Sequence, residues 1–335
     1  MREPDFWWQK PGIAARLLSP LGLIYGAVSG WRMRRTGFRA DIPVICIGNF
    51  TLGGTGKTPS AIAIAKRLAA QGATPFFLTR GYGGNLAGPV RVDLQTHRAS
   101  DVGDEPLLLA REAPTIVSRD RAAGAAFAQA AGATIIVMDD GLQNPSLHKD
   151  VSIAVVDARR GLGNACVFPA GPLRAPIATQ LAMVQAILVV GTDTGAEPVA
   201  ELAHARGLPV LRARLEPAPE AIKAIEGRNV LAFAGIGDPR KFFSTLALAG
   251  IRTKIEESFA DHHAYTDNEA AGILARCEAE NLVPVTTEKD IARLTGQDGA
   301  RGRLAAAACA IPVTLVPDDP GMLINLLDDA LRMSG

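Results

Sequence analysis

Pro43-Val44-Ile45-Cys46-Ile47-Gly48-Asn49-Phe50-Thr51-Leu52-Gly53-Gly54-Thr55-Gly56-Lys57-Thr58, followed by an alanine- and isoleucine-rich run over residues 59–66, reads as strand, glycine loop and helix. A helix N-terminus offers unpaired backbone N–H groups and the positive end of a dipole, and glycines let that backbone close around an anion. A polyphosphate suits such a loop. Lys57 is placed to neutralise its terminal phosphates, and the Thr58 hydroxyl to ligate the Mg²⁺ that accompanies a nucleoside triphosphate. The candidate nucleotide contacts are therefore Thr51, Gly53, Gly54, Thr55, Gly56, Lys57 and Thr58. The strict phosphate-loop pattern has glycine five residues before Gly56, where this chain has Thr51, so the match is a variant. A glycine-rich turn ahead of an ordinary helix is the competing reading, and the strand and helix on either side argue against it.

Downstream, apolar strands alternate with helical stretches as far as residue 191, which predicts an α/β fold with a doubly wound, mostly parallel sheet of the phosphate-loop NTPase type. Strands are expected at 74–79, 115–117, 135–139, 152–157 and 186–190, most of them apolar throughout, as a sheet covered on both faces requires. The strand ending Met138-Asp139-Asp140 puts carboxylates where a phosphate-loop protein holds its metal, so Asp139 and Asp140 join Thr58 as candidate Mg²⁺ ligands. Arg80-Gly81-Tyr82-Gly83-Gly84 follows a strand as a loop that a ligand can approach closely. Arg119, Arg121 and Arg174 are candidate phosphate-binding guanidiniums, with surface solvation as the alternative. Gly103-Asp104-Glu105-Pro106 has the form of a helix start, and from spacing alone Asp104 and Glu105 cap it.

The expected divisions are residues 1–40, a phosphate-loop domain over 41–215, a linker at 215–219, and a smaller α/β domain over 216–335, with a last helix at 320–333 for which a return to the first domain is left open. Within the smaller domain, Asp261-His262-His263 reads as a surface loop, because adjacent side chains on a regular element diverge and make a poor metal pair.

The 335 residues carry a formal net charge of +1, which gives no global signal for nucleic acid. Residues 1–40 hold seven Arg or Lys against two acids, a local excess of five, so the remainder stands at −4. Phe6, Trp7 and Trp8 precede fifteen uncharged residues, Leu17 to Trp31, and Arg32, Arg34, Arg35 and Arg39 follow. That run contains Pro20 and is shorter than the about 20 residues a bilayer span needs. At helical spacing Leu17, Leu21, Ile24, Tyr25 and Val28 share one face, while Ser19, Gly22, Gly26 and Ser29 form a small-residue face. Aromatics at one end and arginines at the other favour a helix lying in a membrane interface over one packed wholly on the protein body. A cleaved export signal is disfavoured by Arg16 and by the loop's need for ATP. The four cysteines lack ligand or disulfide spacing, in keeping with a reducing, cytosolic setting.

The ordered motifs together resemble the tetraacyldisaccharide 4′-kinase family. The matching pieces are the loop from Gly48 to Pro59, Arg80-Gly81-Tyr82-Gly83, Gly103-Asp104-Glu105-Pro106, Arg119-Asp120-Arg121, Asp139-Asp140-Gly141-Leu142-Gln143, Val156-Asp157-Ala158, Pro169-Ala170-Gly171-Pro172-Leu173-Arg174, Phe233-Ala234-Gly235-Ile236-Gly237, Asp261-His262 and Thr287-Glu288-Lys289-Asp290. Leu142, Asn144 and Ala175 depart from that family's usual Phe, His and Glu.

The resemblance implies transfer of the ATP γ-phosphoryl group, with Mg²⁺, to the 4′-hydroxyl of an acylated disaccharide 1-phosphate, a lipid A precursor of lipopolysaccharide. It implies catalytic roles for Asp104 as base, His262 as its partner across the domain boundary, and Lys57. It places Arg80, Gly81, Tyr82, Arg119, Arg121 and Arg174 toward the substrate, and the protein at the cytoplasmic face of the inner membrane, peripheral or monotopic, with no obligate protein partner. A soluble small-molecule kinase would not need the N-terminal helix. A partitioning ATPase switch commonly carries a second lysine just before the paired glycines, where this chain has Leu52.

Overall fold

The computed structural model describes residues 3–333; the outermost residues of the expected terminal segments, 1–2 and 334–335, lie outside the described residues. Strand β1 (Val44–Gly48) is fully buried, and its side chains alternate between two layers: Val44 and Cys46 enter one core, Ile45 and Ile47 the other. That period-two division is the reason an uninterrupted apolar run is required here.

Around it stand β2 (Pro75–Thr79), β3 (Val90–Arg91), β4 (Thr115–Val117), β5 (Ile135–Asp139), β6 (Val151–Asp157), β7 (Ala186–Val190) and β8 (Val210–Pro217). A second group comprises β9 (Asn229–Ala234), β10 (Arg252–Ser258), β11 (Val283–Thr287) and β12 (Cys309–Ile311), after which β13 (Val313–Pro317) precedes the last helix. The large sheet runs β13-β8-β7-β6-β1-β5-β2-β4-β3, parallel except for the pairs β8/β13 and β3/β4 at its two ends. β1 lies between β5 and β6, with β2 to β5 laid down on one side of it and β6 to β8 on the other, and the crevice at the carboxyl end of such a strand is where open α/β sheets bind ligands. The helix Lys57–Ala70 covers one face with Ala61, Ile64, Ala65 and Leu68. The small sheet, β10-β9-β11-β12, is parallel throughout and carries its own two cores, one around Phe242, Phe243 and Leu246, the other around Ile273, Leu294 and Leu304.

One expectation changes and one open alternative is decided. Residues 215–217 are not linker but the end of β8, with Val313, Thr314 and Leu315 of β13 opposite Pro217, Glu216 and Leu215. Proline is tolerated at a strand end, where its missing N–H takes no ladder bond from the interior. The chain enters the small domain at Ala218 and leaves it at Pro312, and these passages touch: Ala218 N–H donates to Pro312 O at 2.8 Å. The C-terminal part of the expected second domain also returns to the first. Leu323 and Leu327 of the helix Pro320–Met333 pack with Ile64 and Leu68, and Gln71 Nε2 donates to Asp328 Oδ1 at 2.8 Å.

The N-terminal helix, Ile13–Met33, lies lengthwise on the large domain by its small-residue face. A Cβ at Gly22 would stand 2.8 Å from Val167 O, and one at Gly26 3.3 Å from the Pro176 ring, so glycine is what permits the approach. The opposite face leaves Leu17 75%, Leu23 74% and Ile24 65% exposed. By length and composition it is, among the described residues, the one helix able to cross a membrane, longer than the uncharged run alone indicates because it extends past Arg16 and Arg32.

Candidate active site

The phosphate loop leaves β1 at Gly48 and turns through Gly53 and Gly56, whose φ angles of +98° and +94° disfavour any side chain. The Gly56 turn aims the N-terminus of the helix Lys57–Ala70 back across the loop. A brace from residues 172–174 holds the other side: Leu52 N–H donates to Pro172 O, Arg174 N–H to Phe50 O, and Arg174 Nε to Thr51 O at 3.0 Å. Gln180 is wholly buried and ties Phe50 O to Ala175 O, while Gln143 bridges Gln180 to Asn49 O. The small domain approaches the loop as well, since a Cβ on Gly237 would lie 3.0 Å from Gly54 N.

Parallel pairing sets Asp139, the last residue of β5, opposite Ile47 of β1, and so delivers it to the loop. Thr58 Oγ1 donates to Asp139 Oδ2 at 3.2 Å. Asp139 Oδ1 and Thr55 Oγ1 are buried without a hydrogen-bond partner, an expensive condition that a bound cation or phosphate relieves. Burial raises the Asp139 pKa to about 7, with Glu105 and Asp140 adding to the rise and Lys57 opposing it. Asp140 takes a left-handed φ of 55° and meets cations. Arg174 grips it with two bonds of 2.8 and 3.1 Å, and Lys57 Nζ stands 3.7 Å away. Although burial pushes its carboxyl up, those cations hold it well below the usual carboxylate range. Of the two aspartates, Asp139 keeps an uncommitted oxygen and Asp140 is committed to cations.

Asp104 opens the helix Asp104–Ala110 but is 3% exposed and faces the small domain. His262 Nδ1 stands 3.3 Å from its Oδ1, and Arg293 Nε donates to Oδ2 at 2.7 Å. The capping reading accounts for one bond, Glu105 N–H to Asp104 Oδ1 at 3.0 Å, and not for these partners from the small domain. Burial pushes Asp104 up, yet the His262 hydrogen bond and the charges of Arg293 and Lys289 hold it well below the ordinary carboxylate pKa. His262, at φ 55°, is not on an open surface loop: its ring lies 5.1 Å from that of Tyr82, while His263 turns away to Glu269. Among the described residues no group of three or more metal-ligating side chains collects.

The arginines divide. Arg80 and Arg119 line, with Gly81, Tyr82, Gly83 and Gly84, an open recess of about 220 Å³. Arg121, for which solvation or ligand contact was expected, is 1% exposed and donates to Ser118 O. Burial lowers its pKa to about 10. Arg174, also expected at a ligand, is engaged by Asp140 and Thr51 instead. Sequence reasoning named Lys289 only within the Thr287-Glu288-Lys289-Asp290 motif, with no role, and passed over Arg293; the available signal was that Arg293 follows that motif on the same short helix, Glu288–Leu294.

The family model described as tetraacyldisaccharide-1-P 4′-kinase matches residues 14–332. The chain belongs to that family. The chain is 50% identical over 331 residues to a tetraacyldisaccharide 4′-kinase of Nitrobacter winogradskyi, covering 99% of this chain and 98% of the relative. A Methylobacterium nodulans tetraacyldisaccharide 4′-kinase is 56% identical over 318 residues, covering 95% and 90%. In fold, the chain is similar to the crystal structure of LpxK from Aquifex aeolicus in complex with ATP, with a TM-score of 0.73 at 23% identity, covering 95% of this chain and 99% of the other.

Within this tetraacyldisaccharide-1-P 4′-kinase family member, two departures from the usual pattern are absorbed by packing. Leu142 and Ala175 are both buried in the core beneath the loop, and the Ala175 carbonyl accepts from Gln180. Asn144 instead organises its own turn, accepting from Ser146.

Proposed function

We propose that this protein transfers the γ-phosphoryl group of ATP to the 4′-hydroxyl of a tetraacyldisaccharide 1-phosphate, the reaction its relatives are named for. The observation that carries the reading is the paired arrangement of Asp104 and His262 beside a phosphate loop in a chain of this family. A triphosphate-binding loop serves a switch as well as a kinase; a buried carboxylate–histidine pair serves proton removal from a hydroxyl acceptor.

Phosphoryl transfer proceeds through a loose transition state, so the protein chiefly positions groups and stabilises charge. Lys57 and the loop amides take the β- and γ-phosphate charge. Thr58 and Asp139 are the fitting ligands for Mg²⁺, because one buried oxygen of Asp139 has no other partner. The metal supplies charge neutralisation between the phosphates. Asp140 keeps Lys57 and Arg174 in register rather than offering free lone pairs. Asp104 accepts the acceptor's proton and His262 shares its charge, which makes the step depend on the small domain staying docked. Arg80 and Arg119, flanking the recess at Gly81 and Tyr82, are suited to the phosphate of the acceptor.

The acyl chains call for a membrane surface. The exposed Leu17, Leu21, Leu23, Ile24 and Val28 of the N-terminal helix supply one, with Trp31 and Arg35 at the end where headgroups lie. Attachment of that helix at both Gly22 and Gly30 supports a protein lying on the bilayer, at the cytoplasmic face where ATP is available.

The decisive experiment incubates γ-labelled ATP with a tetraacylated disaccharide 1-phosphate in detergent micelles, alongside Asp104→Ala and a control without lipid. Label in the lipid with the parent protein and its loss in the variant are expected. Lipid-independent ATP hydrolysis with no labelled lipid would sink the kinase reading in favour of a switch.

A further inference from the structure

Asp104 is met from the small domain at both of its oxygens, and only one partner, His262, was legible as a motif. The other is Arg293, on the helix Glu288–Leu294. Its Nε and Nη2 both donate to Asp104 Oδ2, and its Nη1 turns back to Asp290 Oδ1 at 2.9 Å and to Gly235 O at 2.6 Å. Asp290 is completely buried and fully engaged: Tyr265 Oη (2.8 Å) and Gly235 N–H (3.0 Å) donate to Oδ1, and Thr287 Oγ1 donates to Oδ2. Gly235 completes the circuit, because its carbonyl also accepts from His262 N–H at 3.1 Å. One anchored guanidinium therefore grips the carboxylate and, through Gly235, shares a backbone acceptor with the residue that carries the imidazole.

We propose that Arg293 is a positioning residue for the transfer: anchored by Asp290, it occupies Oδ2 of Asp104 and turns Oδ1, which accepts from Glu105 N–H at 3.0 Å, toward His262 and the acceptor hydroxyl. This rests on the reading of Asp104 as proton acceptor. A carboxylate free to rotate would present either oxygen at varying angles, and misplacement by about 1 Å costs on the order of 10²-fold in rate. The fork geometry of a guanidinium is what a lysine ammonium lacks. The charged groups facing Asp104 are Glu105 on its own helix, Asp261 and His262 on the loop, and Lys289 and Arg293 on the opposing helix. All of the polar contacts of Arg293 are to Asp104, Asp290 and Gly235, and none is to the nucleotide ligands proposed above.

The test compares Arg293→Met, Arg293→Lys and Asp104→Asn in the full-length protein, reading kcat, KM for ATP and the pH dependence of kcat. For Arg293→Met, kcat falls ~10²-fold with KM for ATP within about twofold, since the loss is positional and not in nucleotide binding. Its acid limb moves up by about one pH unit or more, because a cation that favours the charged carboxylate is gone. Arg293→Lys restores the charge and the parental acid limb, but recovers only part of kcat, to within about tenfold of the parent. Should the methionine variant fail to fold, the lysine variant alone decides by that split. Parental kcat and an unmoved pH profile in either folded variant would overturn the proposal. If Asp104→Asn keeps parental kcat, the proton-acceptor reading falls and this inference with it; if Asp104→Asn is inactive while Arg293→Met is parental, this inference falls alone.

Discussion

Asp104 and His262 meet at 3.3 Å across the boundary between two domains whose chain segments lie far apart in sequence. The pairing ties proton removal to domain docking, so the two should respond together. His262 is raised above its ordinary pKa: burial lowers it, and the hydrogen bond and charge of Asp104 outweigh that. Its share of docking stability is complete below the unfolded value of about 6.5 and is lost as pH rises through the higher folded value. Asp104 behaves oppositely, contributing above the unfolded value of about 3.9 and losing it as pH falls through its depressed folded value. Asp104→Asn is expected to lower kcat ~10²–10⁴-fold with little change in KM for ATP, and to flatten the pH dependence of small-domain hydrogen exchange above neutrality. An unchanged kcat would contradict it.

Thr58 and Asp139 share one hydrogen bond, and one Asp139 oxygen is left over. Asp139→Asn should raise the Mg²⁺ concentration for half-maximal rate and cut kcat by ~10²-fold or more, whereas EDTA should abolish transfer in the parent. Mg²⁺ titrations at saturating ATP separate the two effects; a parental Mg²⁺ dependence would count against Asp139 as a ligand.

Opposite faces of the N-terminal helix should fail differently. Gly22→Leu drives a side chain into the Val167 carbonyl and should destabilise by about 1–3 kcal/mol, read as a lowered Tm. A Leu17→Glu, Ile24→Glu pair alters exposed positions, leaves Tm nearly unchanged, and should abolish flotation with anionic liposomes. Retained flotation would remove the helix from the membrane.

Lys241 of the small domain donates to Asp157 at 2.9 Å, and Arg160 N–H and Arg159 N–H bind the other oxygen of that buried carboxylate. Burial pushes Asp157 up, but these partners keep it below its ordinary pKa, so the stabilisation present above about pH 4 is lost as pH falls. Lys241→Met leaves the carboxylate short of its counter-charge. Because Lys241 is a third exposed, the expected cost is about 1–2 kcal/mol at neutral pH, with acid unfolding beginning at higher pH. Urea denaturation at pH 7 and pH 5 measures both.

The sequence alone determined the strand, glycine loop and helix at residues 44–70, the carboxylate at the end of β5, the small-residue face of the N-terminal helix and the last helix, because each is written in a local period or a local turn chemistry. The tertiary structure decided what those signals leave open. Pro217 and Pro219 have the composition of a linker, yet pairing with β13 makes the first of them strand. Arg121 and Arg174 look alike in sequence, and packing buries one and gives the other to Asp140. Arg293 reaches Asp104 over 189 residues. No helical or strand period spans such a distance: contacts of that kind exist only once two separately folded layers dock, and only their docking selects which charges meet.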